Sequence, residues 1–326
     1  MAMEEISFYK YIKDKKVTIG EVKLETDLEE KILFTSFQNI YLNPKLWSII
    51  TKDFFLFKDF ERYLSDFKHY KEILQRENEI KKKAKSSSII KGNYFLFGAE
   101  ENYWHFLIDF IPRLVCLKFL SSKEIKIVIS NKLPLKFLNF IEEICSLLNI
   151  KKIIYFKVDQ KNLIYYFDKL TFTSRPTIEF TSLFFQKLIK TKKQRKKNIY
   201  VKRGNTIRRK VLNEDLLIEF LKEFNYEVVD CFELDIEEQI NTFSMAKNII
   251  IPSGAAMANL LFVPNNINVL EIRSNLDGNF SKKINLNNRF NLHLFENTTK
   301  VGLDLRKDII VDIPAIKKLI EEKKIF

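Results

Sequence analysis

From Ile89 onward, short runs of β-branched and aromatic residues alternate with longer stretches whose apolar residues recur at helical spacing. Ile89 to Phe97 reads as a strand, and Gly98 to Glu101 as the turn that follows it. Asn102 to Arg113 reads as a helix that Pro112 disrupts near its end, with the apolar residues Leu114 to Leu120 behind it. Strands are predicted at Ile125–Ser130, Lys152–Val158 and Leu170–Thr173, with a helix at Leu135–Leu148. The alternation becomes cleaner afterwards: strands at Asn198–Lys202, Tyr226–Val229, Asn248–Ile251 and Asn268–Ile272, and helices at Asn213–Phe224, Ile236–Ala246 and Ala256–Phe262. Three consecutive β-α-β units imply a parallel, doubly wound sheet. Pro314–Lys324 forms a terminal helix. Before Ile89 the pattern is weaker, with alternating pieces at Lys16–Leu24 and Lys31–Phe37, an aromatic stretch Phe54–Tyr70, and a charged, exposed helix at Leu74–Lys85 ended by Ser86-Ser87-Ser88.

Within Asn102–Arg113 the polar residues Asn102, His105, Asp109 and Arg113 fall at steps of three, four and four, making one stripe on an otherwise apolar cylinder. A helix apolar on nearly every side belongs inside a domain, where a carboxylate is costly unless paired or set in a wet cleft. The stripe is therefore a candidate site, although a His-Asp pair that only satisfies itself in a core has the same spacing.

At 326 residues the chain exceeds the usual reach of one core, so two domains are expected. Residues 1–190 form an N-terminal α/β domain, 191–310 a C-terminal nucleotide-binding domain, and 311–326 a helix available to pack back on the first. No run of 18 apolar residues occurs, and the first residues lack the pattern of a secretory signal, so a cytoplasmic protein is expected. Cys116, Cys145 and Cys231 follow no metal or redox spacing and read as reduced core residues.

Lys and Arg exceed Asp and Glu by 55 to 42, a formal charge of +13 that favours acidic partners. The densest basic run is Lys187, Lys190, Lys192, Lys193, Arg195, Lys196 and Lys197, which also suits a solvated linker. No nucleic-acid-binding module with interleaved aromatics is present, so no nucleic acid is expected, and the charge suits peripheral contact with an anionic membrane face.

The second half has its own polar groups. Pro252-Ser253-Gly254-Ala255-Ala256 joins an apolar strand to a helix, where backbone N–H groups favour a diphosphate, though small residues at such a junction also serve tight packing. Arg203, Arg208, Arg209 and Asn213 gather beyond the first strand of this half, at the end where doubly wound sheets bind ligands. Glu271 ends another strand on that side, placed either to accept from ribose hydroxyls or to pair with Arg273.

Asn102-Tyr103-Trp104-His105 with Asp109 and Pro112-Arg113, Tyr200-Val-Lys-Arg203, Arg209 to Asn213-Glu214, Glu238-Gln239-Ile240, Gly254-Ala255-Ala256 through Asn259 to Phe262, and Val269-Leu270-Glu271 occur in the order and near the spacing of glycosyltransferase family 61, which the chain resembles from about residue 93 to 272. The resemblance implies an α/β, GT-B-like architecture of two Rossmann-like domains with a cleft between them. It also implies inverting transfer from a nucleotide sugar, UDP-linked by preference, with no cofactor and no essential metal. Bacterial members of this kind are associated with capsular and other surface polysaccharides, so the implied acceptor is a glycan or lipid-linked saccharide. His105 and Asp109 become the candidate catalytic pair, with either as the base. Asn102, Tyr103, Trp104 and Arg113 become acceptor-side residues. Arg203, Arg208, Arg209, Asn213, Ser253, Gly254, Ala255, Ala256, Asn259 and Glu271 become the donor-binding set. Many members carry His where this chain has Ser253; a hydroxyl can donate to a phosphate oxygen but does not supply an imidazolium charge. A non-catalytic basic binding module is the alternative, and it would leave the stripe and the strand-end residues without a purpose.

Overall fold

The computed structural model describes residues 4–6, 19–23, 31–57, 73–99, 101–120, 124–150, 152–189, 196–204, 206, 209–273, 280–296, 298–301 and 308–323. Tyr63, Arg208, Glu100 and, from the basic run, Lys190, Lys192, Lys193 and Arg195 lie outside these. The chain divides into two compact units, 1–181 and 182–326.

Among the described residues, the first unit holds one mixed sheet. Its strands are β1 (Glu4–Ile6), β2 (Gly20–Lys23), β3 (Lys31–Asn43), β4 (Ser48–Ile50), β5 (Phe55–Phe57), β6 (Ile89–Gly98), β7 (Ile125–Ser130), β8 (Ile153–Val158) and β9 (Tyr165–Thr173). The order is β1-β5-β4-β3-β9-β6-β7-β8, with β2 beside β3. β9, β6, β7 and β8 are mutually parallel, whereas β3 runs antiparallel to β9 over most of its length. Only the parallel part was legible in the sequence. The long strand β3 alternates buried and exposed positions without a helix to mark its partner.

From β6 the chain steps to β7 and β8 on one side, then crosses to β9 on the other. The C-terminal ends of β6 and β9 therefore flank a point where the winding direction reverses, the place where open α/β sheets form a crevice. Helix Glu77–Ser86 buries only Ile80 and Ala84, as its charged sequence implies. Phe54 stacks on Tyr41 with ring centroids 6.0 Å apart, a core role.

The second unit contains a five-stranded, wholly parallel sheet of β10 (Lys197–Val201), β11 (Tyr226–Val229), β12 (Ala246–Pro252), β13 (Asn268–Ile272) and β14 (Asn291–Phe295), in the order β11-β10-β12-β13-β14. Its winding reverses between β10 and β12. The central strands carry apolar runs such as Ile249-Ile250-Ile251 because helices cover both faces of such sheets. An exception is a row of asparagines in register across four strands: Asn248 donates to Asn198 at 2.9 Å, Asn268 to Asn248 at 2.8 Å, and Asn291 to Asn268 at 3.0 Å. A hairpin of β15 (Thr298–Val301) and β16 (Asp308–Val311) follows, and β14 and this hairpin had no sequence signal. The terminal helix Ile313–Lys323 places Ile316 and Ile320 in the core with Tyr200, Leu217 and Leu221 of its own unit.

Candidate functional site

The segment that carries the stripe is three kinds of helix in series. Tyr103–His105 is α-helical, Phe106–Phe110 is a π-turn and Ile111–Phe119 is a 3₁₀ helix. Pro112 explains the change, since it has no N–H to donate to the carbonyl of Ile108. That carbonyl instead accepts from the Thr181 hydroxyl at 2.9 Å, and one residue earlier the Ile111 N–H reaches back to Phe106. Single π-turns inside helices recur at functional sites. Before the segment, Gly98 and Ala99 both have positive φ, +82° and +79°. A Cβ on Gly98 would lie 2.8 Å from the Phe110 ring, so the glycine is needed for space as well as conformation.

Asn102 caps the segment by accepting from the His105 backbone N–H at 3.3 Å. His105 Nδ1 lies 2.7 Å from Asp109 Oδ2, and Arg175 Nε donates to Asp109 Oδ1 at 3.0 Å. The Asp109 side chain is fully buried (0% exposed), whereas His105 keeps 27% of its side-chain surface and Arg175 43%. Both carboxylate oxygens are thus bonded inside the protein, and the imidazole is the member of the pair that faces outward. Trp104 is buried, and Tyr103 packs beside Phe137 at 6.2 Å between ring centroids. Arg113 is buried with its guanidinium 4.8 Å from the Phe110 ring. Burial pushes the neighbouring Cys116 thiol up to about 12.

In the second unit, Arg203 and Ser253 follow the ends of β10 and β12, the strands between which the winding reverses. Glu214 fixes the first of these loops, accepting from the Tyr200 hydroxyl at 2.8 Å and from the backbone N–H groups of Arg203 at 2.6 Å and Gly204 at 3.2 Å. Burial, and then the Glu214 carboxylate, raise the Tyr200 phenol well above its ordinary range, so it stays a donor. Arg203 Nε donates to the Arg209 carbonyl at 3.1 Å, and Arg209 has a φ of +57°. The guanidinium lies across Gly254, where a Cβ would come within 1.8 Å of Nη1. The junction helix Ala255–Leu261 is 3₁₀ rather than the α-helix expected, so it offers less of an aligned N-terminal dipole.

The model of the family described as Glycosyltransferase 61 matches residues 103–270, from the start of the segment carrying His105 to β13. The chain belongs to glycosyltransferase family 61. It is therefore a transferase enzyme that takes a sugar donor and an acceptor, and the non-catalytic alternative falls away. No curated protein matches the chain at a significant level.

Within this family 61 chain, several residues expected at the donor site make hydrogen bonds inside the second unit. Asn213 spends its amide on Val311, donating to the carbonyl at 2.8 Å and accepting from the N–H at 2.9 Å. Asn259 is fully buried and donates to Gln239 at 2.8 Å. Glu271 is fully buried and accepts from the hydroxyls of Ser253 and Ser281. Arg273 pairs with Glu296, not with Glu271. The Ser253 hydroxyl gives its hydrogen to Glu271. Arg208 lies outside the described residues, while Ala255 and Ala256 are half-buried beside Gly254. Among the described residues there is no cluster of three His, Cys, Asp or Glu side chains suited to a metal, and no helix is long and apolar enough to cross a membrane.

Sequence reasoning missed Arg175, and placed Glu214 in the strand-end cluster without giving it a role. The Arg175-Pro176 pair after β9 was a faint signal, because a residue before proline is held extended. Its partner could be found only from the strand order that sets β9 beside β6.

Proposed function

We propose that the protein is an inverting, metal-independent glycosyltransferase of GT-B arrangement, moving a sugar from a UDP-linked donor to a surface-polysaccharide or lipid-linked glycan acceptor. The acceptor side lies in the first unit and the donor side in the second. The observation that carries this reading is the His105–Asp109 pair at the winding reversal beside β6, with the carboxylate fully buried and the imidazole outward. Of the two candidate bases, His105 fits. With Nδ1–H donating to Asp109, Nε2 carries the lone pair that takes a proton.

The acceptor hydroxyl gives its proton to His105 Nε2 as its oxygen bonds to the anomeric carbon. The bond from that carbon to the diphosphate breaks on the opposite face, and the electron pair leaves with the nucleotide diphosphate. Arg203 meets the charge that develops there. Because Arg203 is held through Nε, the guanidinium is set in direction before any donor arrives. A +13 charge suits work beside an anionic membrane face holding lipid-linked acceptors.

The test is transfer and thermal shift with a panel of UDP-, GDP- and CMP-sugars. UDP-sugars are expected to raise the melting temperature, and His105→Ala to lower turnover by about 100-fold or more, the usual worth of a positioned base. Full activity of His105→Ala would remove His105 from the chemistry. Activity abolished by chelator and restored by Mn²⁺ would overturn the metal-independent mechanism.

A further inference from the structure

We propose that Arg175 is a positioning residue that keeps His105 neutral by balancing the charge of Asp109. The inference rests on the reading of His105 as the base. A fully buried carboxylate draws positive charge to itself, and an imidazole 2.7 Å away is a ready place for a second proton. An imidazolium has no lone pair to accept the acceptor's proton. Arg175 reaches the other carboxylate oxygen at 3.0 Å, and a guanidinium stays charged across the working range. With the carboxylate's charge met from that side, the imidazole can hold one proton, on Nδ1, and keep Nε2 basic.

The loop that delivers Arg175 is built to hold it. Ser174 extends the β9–β3 pairing, its N–H donating to the Leu33 carbonyl at 2.7 Å and its hydroxyl accepting from the Leu33 N–H at 3.0 Å. Pro176 keeps Arg175 extended. Thr177 then caps the helix Ile178–Leu188 by accepting from the Phe180 N–H at 3.0 Å, and Thr181 on that helix satisfies the Ile108 carbonyl one residue before Asp109. One loop thus supports Asp109 through both its side chain and the adjoining backbone. The charged groups on the elements around the pair include Arg113 and Lys118 on its own segment, Lys31 on β3, Lys91 on β6, Asp168 and Lys169 on β9, Arg175 and Glu179 beyond β9, and Lys136, Glu142 and Glu143 on helix Leu135–Leu147. Of these, Arg175 bonds Asp109 directly.

The chain has only three histidines, so ¹⁵N NMR of the imidazole rings can follow His105 without any substrate, with His105→Ala giving the assignment. At pH 7 the wild type is expected to show one protonated and one unprotonated ring nitrogen. Arg175→Gln, which keeps a hydrogen-bond donor without the charge, should show both nitrogens protonated, and Arg175→Lys should resemble the wild type. In transfer assays with the UDP-sugar giving the largest thermal shift, Arg175→Gln should lose about tenfold or more in kcat at pH 7 with donor KM nearly unchanged, and regain much of it by pH 9. A merely structural arginine would not produce that pH-dependent recovery. Should Arg175→Gln fail to fold, Arg175→Lys decides: a protonated Nε2 in that variant overturns the proposal, as do wild-type ring nitrogens in a folded Arg175→Gln. If the NMR outcome holds but His105→Ala transfers sugar at the wild-type rate, the positioning role stands and the reading of His105 as base fails.

Discussion

Arg203 lies across Gly254 so closely that a Cβ on the glycine would fall 1.8 Å from Nη1 and 2.8 Å from Cζ. The backbone of Gly254 is extended, with φ at 175°, so this glycine is needed for space and not for a left-handed turn. Gly254→Ala must therefore displace the guanidinium. Calorimetry with UDP-sugars is expected to show affinity reduced about tenfold or more, as for Arg203→Ala, because a charge-assisted contact to phosphate is worth roughly 1.5–3 kcal/mol. The melting temperature of the unliganded variant should stay close to wild type. Unchanged donor affinity in Gly254→Ala would remove Arg203 from the donor site.

Glu214 is the anchor beneath that arginine. Replacing it with Ala removes the acceptor for the buried Tyr200 hydroxyl and for two loop N–H groups, and should cost about 2–4 kcal/mol in denaturant unfolding. Tyr200→Phe removes one of these bonds and should cost less. A double-mutant cycle on the two should reveal coupling, since they share a hydrogen bond. Additive effects would mean that the bond contributes nothing.

The asparagine row gives a stability prediction away from the chemistry. Asn248 both donates to Asn198 and accepts from Asn268. Asn248→Leu withdraws a partner from each neighbour at once and should destabilise by about 1–3 kcal/mol, read as a lower denaturant midpoint with unchanged slope. Turnover per folded molecule should be preserved. A variant as stable as wild type would show the row to be incidental.

Burial raises the thiols of Cys116 and Cys145 from 9.0 to about 12. An acid whose pKa is higher in the folded state binds its proton more tightly there. Stability is full below the unfolded value and falls as pH rises from about 9 toward 12, with a slope approaching about 1.4 kcal/mol per pH unit for each thiol. Urea unfolding across that window should show the decline, and Cys116→Ala with Cys145→Ala should flatten it. In native protein at pH 8, iodoacetamide should label the less buried Cys231 first. Early labelling at Cys116 would contradict its burial.

The sequence by itself determined what depends on local periodicity. Buried parallel strands must be apolar runs, as in Ile249-Ile250-Ile251, and helices between them must repeat near every third or fourth residue, so the α/β alternation was legible. The four-residue step from His105 to Asp109 brings their side chains together even though the segment passes from α into π geometry there. Tertiary structure decided what depends on strand order. Arg175 is 66 residues from Asp109 and meets it because β9 crosses to the far side of β6. Glu271 looked like a ligand-facing acid from its place at a strand end, yet the chain folds Ser281 over it and buries it. A residue's spacing to its neighbours is fixed by the covalent chain, whereas its partner across a sheet is fixed by which strands pair, and that choice is made by the packing of the whole unit.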